Sequence, residues 1–128
     1  MNTKSKNKLV FLPLGGTGEI GMNMNCYGYG SHIDDMKWLL VDVGITFGDD
    51  TLGGVDVIMP DHGFIKERKE DLDGIFITHA HEDHVGGLAY LWPDLECKIY
   101  ASSFTAVSYT HLRAHETRHD LVCRLLLE

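Results

Sequence analysis

A chain of 128 residues with 44% hydrophobic and 9% aromatic positions has material for one modest core, and its apolar runs fall short of the roughly 18 residues that cross a bilayer. The net charge of −8 speaks against a module that holds nucleic acid through an excess of lysine and arginine, and leaves open an enzyme whose cations hold phosphate. Cys26, Cys97 and Cys123 are odd in number, widely spaced and without a C-x-x-C pair, so neither a disulfide framework nor a zinc ribbon is indicated and a reducing cytoplasm is the expected location.

In chain order, residues 1–8 form a basic tail before the apolar Leu9–Leu14, which mimics a secretory signal until Gly15 and Gly16 interrupt it with no small-residue cleavage site following, so export is not expected. Leu9–Leu14, stopped by glycines, and Met22–Tyr29, with no helical period, are expected strands. His32–Met36 is a polar turn, and Trp38–Val43 is a buried strand running into Asp42 and Gly44. Val55–Met59 is a short strand closed by Pro60. Gly63–Asp73 carries apolar residues only at Phe64, Ile65 and Leu72, and reads as a solvated surface helix or turn rather than a core element. Ile75–Thr78 is a β-branched strand that leads straight into His79. Val85–Trp92 is a helix ended by Trp92-Pro93, and Lys98–Ala101 is a last strand. Strands alternating with helical patches predict an α/β, or layered α+β, architecture.

The chemistry is concentrated in Thr78-His79-Ala80-His81-Glu82-Asp83-His84, where three histidines and two carboxylates fall within six residues after a strand. Residues two apart in an extended segment point the same way, so His79 and His81 can grip one ion, while Asp83 and His84, at the turn into the next helix, face a second. Nitrogen-rich ligands suit zinc best, with manganese as second candidate. The competing reading, an exposed polar loop, fits the lone His32 and His62. It does not fit a cluster this dense, placed after an apolar strand and before Gly86-Gly87. Glu82 has no assigned role.

These residues resemble the metallo-beta-lactamase superfamily, whose metal motif matches His79, His81, Asp83 and His84 position for position. The resemblance implies that Asp42, ending its strand, supports the histidine ligands by hydrogen bonding. The residues themselves leave a turn-forming role before Gly44 equally open. Within the superfamily, Leu14–Met24 (LGGTGEIGMNM), Val41–Phe47 (VDVGITF), Gly54-Val55-Asp56 and Pro60-Asp61 look like bacterial ribonuclease J, as does GIFITHAHEDHVGGL. The likeness runs from about Leu9 to Phe104. It implies the N-terminal half of an αββα sandwich and a dinuclear zinc ribonuclease that degrades RNA from a 5′ end and also cuts internally. Asp83 would take up a proton from the nucleophile. It also implies that further ligands and an RNA-binding domain lie beyond this stretch, so the 128-residue chain is expected to bind metal weakly and turn over slowly or not at all. RNA as the intact enzyme's substrate, no membrane, and room for a homo-oligomer complete the expectation. Other hydrolases of this fold, acting on thioesters or lactones, share the same ligands, and a metal-binding module without turnover is the non-enzymatic alternative.

Two motifs compete. Gly16-Thr17-Gly18-Glu19-Ile20-Gly21 satisfies the dinucleotide pattern G-x-G-x-x-G and has Asp42 about 20 residues on, but no helix is expected to open at Gly18, so the glycines are read as a tight turn near the metal site. His115-Glu116-Thr117-Arg118-His119 satisfies H-E-x-x-H, and His111 would share its helix face. That run lies in Val107–Glu128, which departs from ribonuclease J and looks like translated adaptor sequence. Residues 105–128 are accordingly expected to be non-native, and residues 9–104 to form a partial metallo-beta-lactamase domain.

Overall fold

The computed structural model describes residues 5–113 and 123–125. Strands β1 (Lys8–Gly15), β2 (Met24–Gly30) and β3 (Lys37–Val41) form an antiparallel meander, and β6 (Leu72–Phe76), β7 (Ile99–Ala101) and β8 (Cys123–Leu125) continue it in parallel, giving the order β1-β2-β3-β6-β7-β8. Short helices α1 (Gly63–Lys66), α2 (Glu82–Val85) and α3 (Leu88–Leu95) and the longer α4 (Ser103–Arg113) complete a mixed α/β layer. This is the layered class that the alternation of patterns predicts. Among the described residues no helix is long and apolar enough to cross a membrane.

The period of two along the strands decides which side chains enter the core. Met24 and Cys26 of β2, Trp38 and Leu40 of β3, Ile75 of β6 and Ile99 of β7 are buried, and they meet Ile65, Leu88, Leu91, Leu95 and Tyr109 from the helices. Each fully buried aliphatic side chain contributes about 1.5–3 kcal/mol relative to its exposed state. Trp38 sits at the centre: its indole faces Phe64 edge-on at 5.0 Å, and a Cβ on Gly28 would lie 2.6 Å from its ring. The alternate positions Leu9, Phe11, Tyr27, Tyr29, Leu39 and Phe76 are exposed on the opposite side of the sheet, with the Phe11 and Tyr27 rings in tilted contact at 5.2 Å.

Three sequence readings need correction. Gly63–Asp73 is not simply a solvated face: Ile65 is fully buried and Leu72 nearly so, because the single turn of α1 tips Phe64 and Ile65 inward while the charges stay outside. The helix before Cys97 does not end at Trp92-Pro93 but passes through Pro93 to Leu95 and stops at Glu96, whose φ is 48°. Burial of Leu91 and Leu95 and the Trp92 Nε1 bond to the Cys97 carbonyl at 2.9 Å outweigh the one amide that proline lacks. Its start also shifts, since α2 and α3 are separate helices joined at Gly86-Gly87. The expected strand at Val55–Met59 shrinks to β5 (Val57–Ile58), paired with β4 (Thr46–Phe47) in a small second sheet that the sequence does not announce.

The Gly16–Gly21 run forms no helix. Gly16, Gly18 and Gly21 all have positive φ, and the chain turns back into β2, which removes the dinucleotide reading. Helix α4 runs across residue 105, with Thr105 and Tyr109 buried. His115–His119 lies outside the described residues.

Candidate metal centre

The site is built at the ends of β3 and β6, adjacent parallel strands paired from Trp38↔Leu72 to Val41↔Phe76. Asp42 follows β3 with φ 62°, a left-handed conformation that aspartate tolerates better than most residues but that still costs energy. Its amide donates to the Phe76 carbonyl at 2.8 Å. The carboxylate is thereby turned under the histidine loop, and Asp42 as a whole is 4% exposed. Beyond β6, Ile77 is buried, and Thr78–His81 form the loop that enters α2.

Backbone bonds fix that loop from the other side. The carbonyls of Glu82, Asp83 and His84 accept from the amides of Ile45, Asn23 and Val43 at 3.1, 3.0 and 2.8 Å, and the amide of Gly87 donates to the Val43 carbonyl. Gly44 allows this approach, since a Cβ there would run into the Asp83 carbonyl. The segment 43–45 therefore lies against α2 like a strap, with Asn23 of the glycine-rich turn clamped beside it.

Asp42 Oδ2 lies 2.7 Å from His84 Nδ1, and Oδ1 accepts from the Thr78 amide at 2.8 Å. Because a carboxylate only accepts, Nδ1 of His84 is the donor, and in the neutral ring Nε2 keeps its lone pair. Nε2 faces Asp83 Oδ2 at 3.4 Å, with the Asn23 side-chain amide 3.4 Å from each. The rings of His79 and His84 lie 4.0 Å apart and those of His79 and His81 4.7 Å. The four expected ligands are thus gathered at one end of the sheet, His81 and Asp83 toward solvent and His84 half-buried. Among the described residues no group of three or more histidine, cysteine or carboxylate side chains is already drawn into a coordination sphere. The donor set nevertheless fits a divalent cation: two electron-pair donors, His84 Nε2 and Asp83 Oδ2, face each other where a cation would satisfy both.

His62 stands apart, bonding Asp94 at 2.7 Å between α1 and α3. Lys66 reaches the same carboxylate at 3.3 Å, and the two partners hold Asp94 below the usual carboxylate range. Asn23 and Thr78 are the site residues that sequence reasoning leaves out. Asn23 gives no signal, whereas Thr78, a hydroxyl between an apolar strand and a histidine, could have been suspected.

A profile describing the metallo-beta-lactamase superfamily matches residues 25–121, which cover both the strand ending at Asp42 and the histidine loop. The chain belongs to the metallo-beta-lactamase superfamily. Within it, the chain is similar to ribonuclease J of Sinorhizobium meliloti, 52% identical over 109 residues, which are 85% of this chain and 19% of that protein. Two strains of Staphylococcus aureus have a ribonuclease J 2 that is 41% and 40% identical over 103 residues, 80% of this chain and 18% of each relative. The chain thus spans about a fifth of the length of these relatives. Superfamily membership implies a divalent metal.

Proposed function

We propose that this chain carries the His79-His81-Asp83-His84 part of a zinc centre in a cytoplasmic ribonuclease, one that hydrolyses RNA phosphodiester bonds from a 5′ end and also internally. The observation that carries the reading is the 52% identity to a ribonuclease J over 109 residues, a stretch long enough that it must include the histidine loop. Residues 9–104 supply the centre; the basic residues 1–8 and residues 105–128 add nothing to it.

His79 and His81 would hold one ion, Asp83 and His84 a second, with zinc favoured by the imidazoles and manganese the alternative. Lewis acidity is what the bound metal supplies, activating water for attack on phosphorus and offsetting charge on the leaving oxygen. The chain's own residues prepare the ground. Asp42 holds the His84 ring by Nδ1 so that Nε2 points outward, and the 43–45 strap fixes the carbonyls of α2 so that Asp83 and His84 keep their spacing. Asp83, 39% exposed, can take the proton from the attacking water at Oδ2 and pass it to solvent.

The same ligands would serve a thioesterase or lactonase, so the test must read the substrate. The matching stretch of Sinorhizobium meliloti ribonuclease J is replaced by that of this chain, and the chimera is given end-labelled and uniformly labelled RNA. Retained hydrolysis, abolished by His81→Ala, is the expected result. A folded, metal-loaded chimera that leaves RNA intact would overturn the reading.

A further inference from the structure

The Thr78 hydroxyl stands between two groups that both bear on it. Its Oγ1 is 2.8 Å from Asp42 Oδ2 and 3.0 Å from Oδ1, and on its other side it is 2.9 Å from His79 Nδ1. A hydroxyl has one proton to give. The carboxylate can only accept, so the proton goes to Asp42, and the hydroxyl oxygen must accept from His79. That requires the proton of the neutral ring to be on Nδ1, leaving Nε2 as the electron-pair donor. The opposite assignment would turn the oxygen lone pairs of Thr78 toward the Asp42 carboxylate at 2.8 Å with no proton between them, an electrostatic repulsion in place of a hydrogen bond.

We propose that Thr78 is a positioning residue, whose hydroxyl relays the Asp42 carboxylate to His79 and fixes its Nδ1–H tautomer, presenting Nε2 to the metal. One carboxylate then sets two ligands: His84 directly, and His79 through a single hydroxyl. The Asp42 acceptor sites are filled by donors that agree with this assignment, namely the Thr78 amide at Oδ1 and His84 Nδ1 at Oδ2. The bond from the Thr78 amide to Asp42 also fixes the backbone from which the hydroxyl reaches out. A β-branched side chain suits the task, because its restricted χ1 holds the hydroxyl in place before any metal arrives.

The inference rests on the reading of His79 as a metal ligand, but its tautomer can be read without metal, so the two can fail separately. Long-range proton–nitrogen correlation spectra of the zinc-free, nitrogen-15-labelled 128-residue chain distinguish a protonated Nδ1 from a protonated Nε2. The expected spectrum shows His79 and His84 both protonated at Nδ1. Thr78→Val should return His79 to the Nε2–H form that an unconstrained neutral histidine side chain prefers, leave His84 unchanged and weaken zinc binding by about 10-fold or more. Thr78→Ser should restore both the tautomer and most of the affinity. A wild-type His79 protonated at Nε2 would overturn the proposal, and that spectrum needs no variant to fold. An unchanged His79 tautomer in a folded Thr78→Val chain, or a Thr78→Ser chain no better than Thr78→Val, would overturn it equally.

Discussion

Asp42 and His84, forty-two positions apart in the chain, meet at 2.7 Å through a carboxylate oxygen and Nδ1 of the ring. The carboxylate is buried and accepts donors on both oxygens, so replacing it with alanine strands at least the His84 Nδ1 proton and the Thr78 amide. Asp42→Ala should cost about 1–3 kcal/mol in urea denaturation for the unsatisfied donors and weaken zinc binding by about 10–100-fold in chelator competition. Asp42→Asn, which keeps the shape and offers one acceptor, should fall between the two proteins. Wild-type affinity in Asp42→Ala would remove the supporting role.

Gly44 tests the strap against α2. A Cβ there meets the Asp83 carbonyl, which backbone bonds on both sides prevent from yielding. Gly44→Ala should therefore destabilise the chain by about 1–3 kcal/mol and lower metal affinity, because the displaced residue, Asp83, is a proposed ligand. Gly53→Ala, where a Cβ meets nothing within 4 Å, is the matched control and should be neutral for binding. Equal behaviour of the two variants would show that the strap is not tight.

Ile65 separates a core position from the charged segment around it. Truncation to alanine should cost about 2–5 kcal/mol by denaturant titration, whereas exposed Lys69→Ala should stay within about 0.5 kcal/mol of the wild type. A small loss at Ile65 would return Gly63–Asp73 to the solvated surface.

Burial pushes the Cys26 thiol up to about 12 and the Cys97 thiol up to about 11, from an ordinary 9.0. Between the ordinary and the raised values the unfolded chain releases these protons first, so stability should fall as pH rises from about 9 toward about 12. At neutral pH both thiols stay protonated and slow to react. Iodoacetamide labelling followed by peptide mapping should leave Cys26 untouched in the native chain and modify it fully in denaturant. Rapid native labelling of Cys26 would contradict the burial.

Much of the candidate site is legible in the sequence because its proposed chemistry is local: His79, His81, Asp83 and His84 fall in one short run, and the apolar Ile75–Ile77 places that run at a strand end. What stayed hidden depends on contacts made across the fold. Nothing near Asp42 in sequence reveals its left-handed φ, which follows from the need to aim a carboxylate sideways beneath α2. Asn23 and Gly44 matter through backbone contacts to Asp83, sixty and thirty-nine positions later, and such contacts leave no periodic trace. The two-residue strands Thr46–Phe47 and Val57–Ile58 are too short for alternation to be seen. Pro93 marks a helix end in local terms, yet packing of Leu91 and Leu95 carries the helix through it.

Zinc titration of the 128-residue chain, read by chelator competition alongside His79→Ala, His81→Ala, Asp83→Ala, His84→Ala, His32→Ala and His62→Ala, tests the proposed centre most directly. Each of the first four substitutions should weaken binding by about tenfold or more, while His32→Ala and His62→Ala should match the wild type, since His32 is exposed and His62 is engaged with Asp94. Zinc binding that survives all four of the first substitutions, or that falls equally with His62→Ala, would place the metal elsewhere and contradict the assignment of the histidine loop.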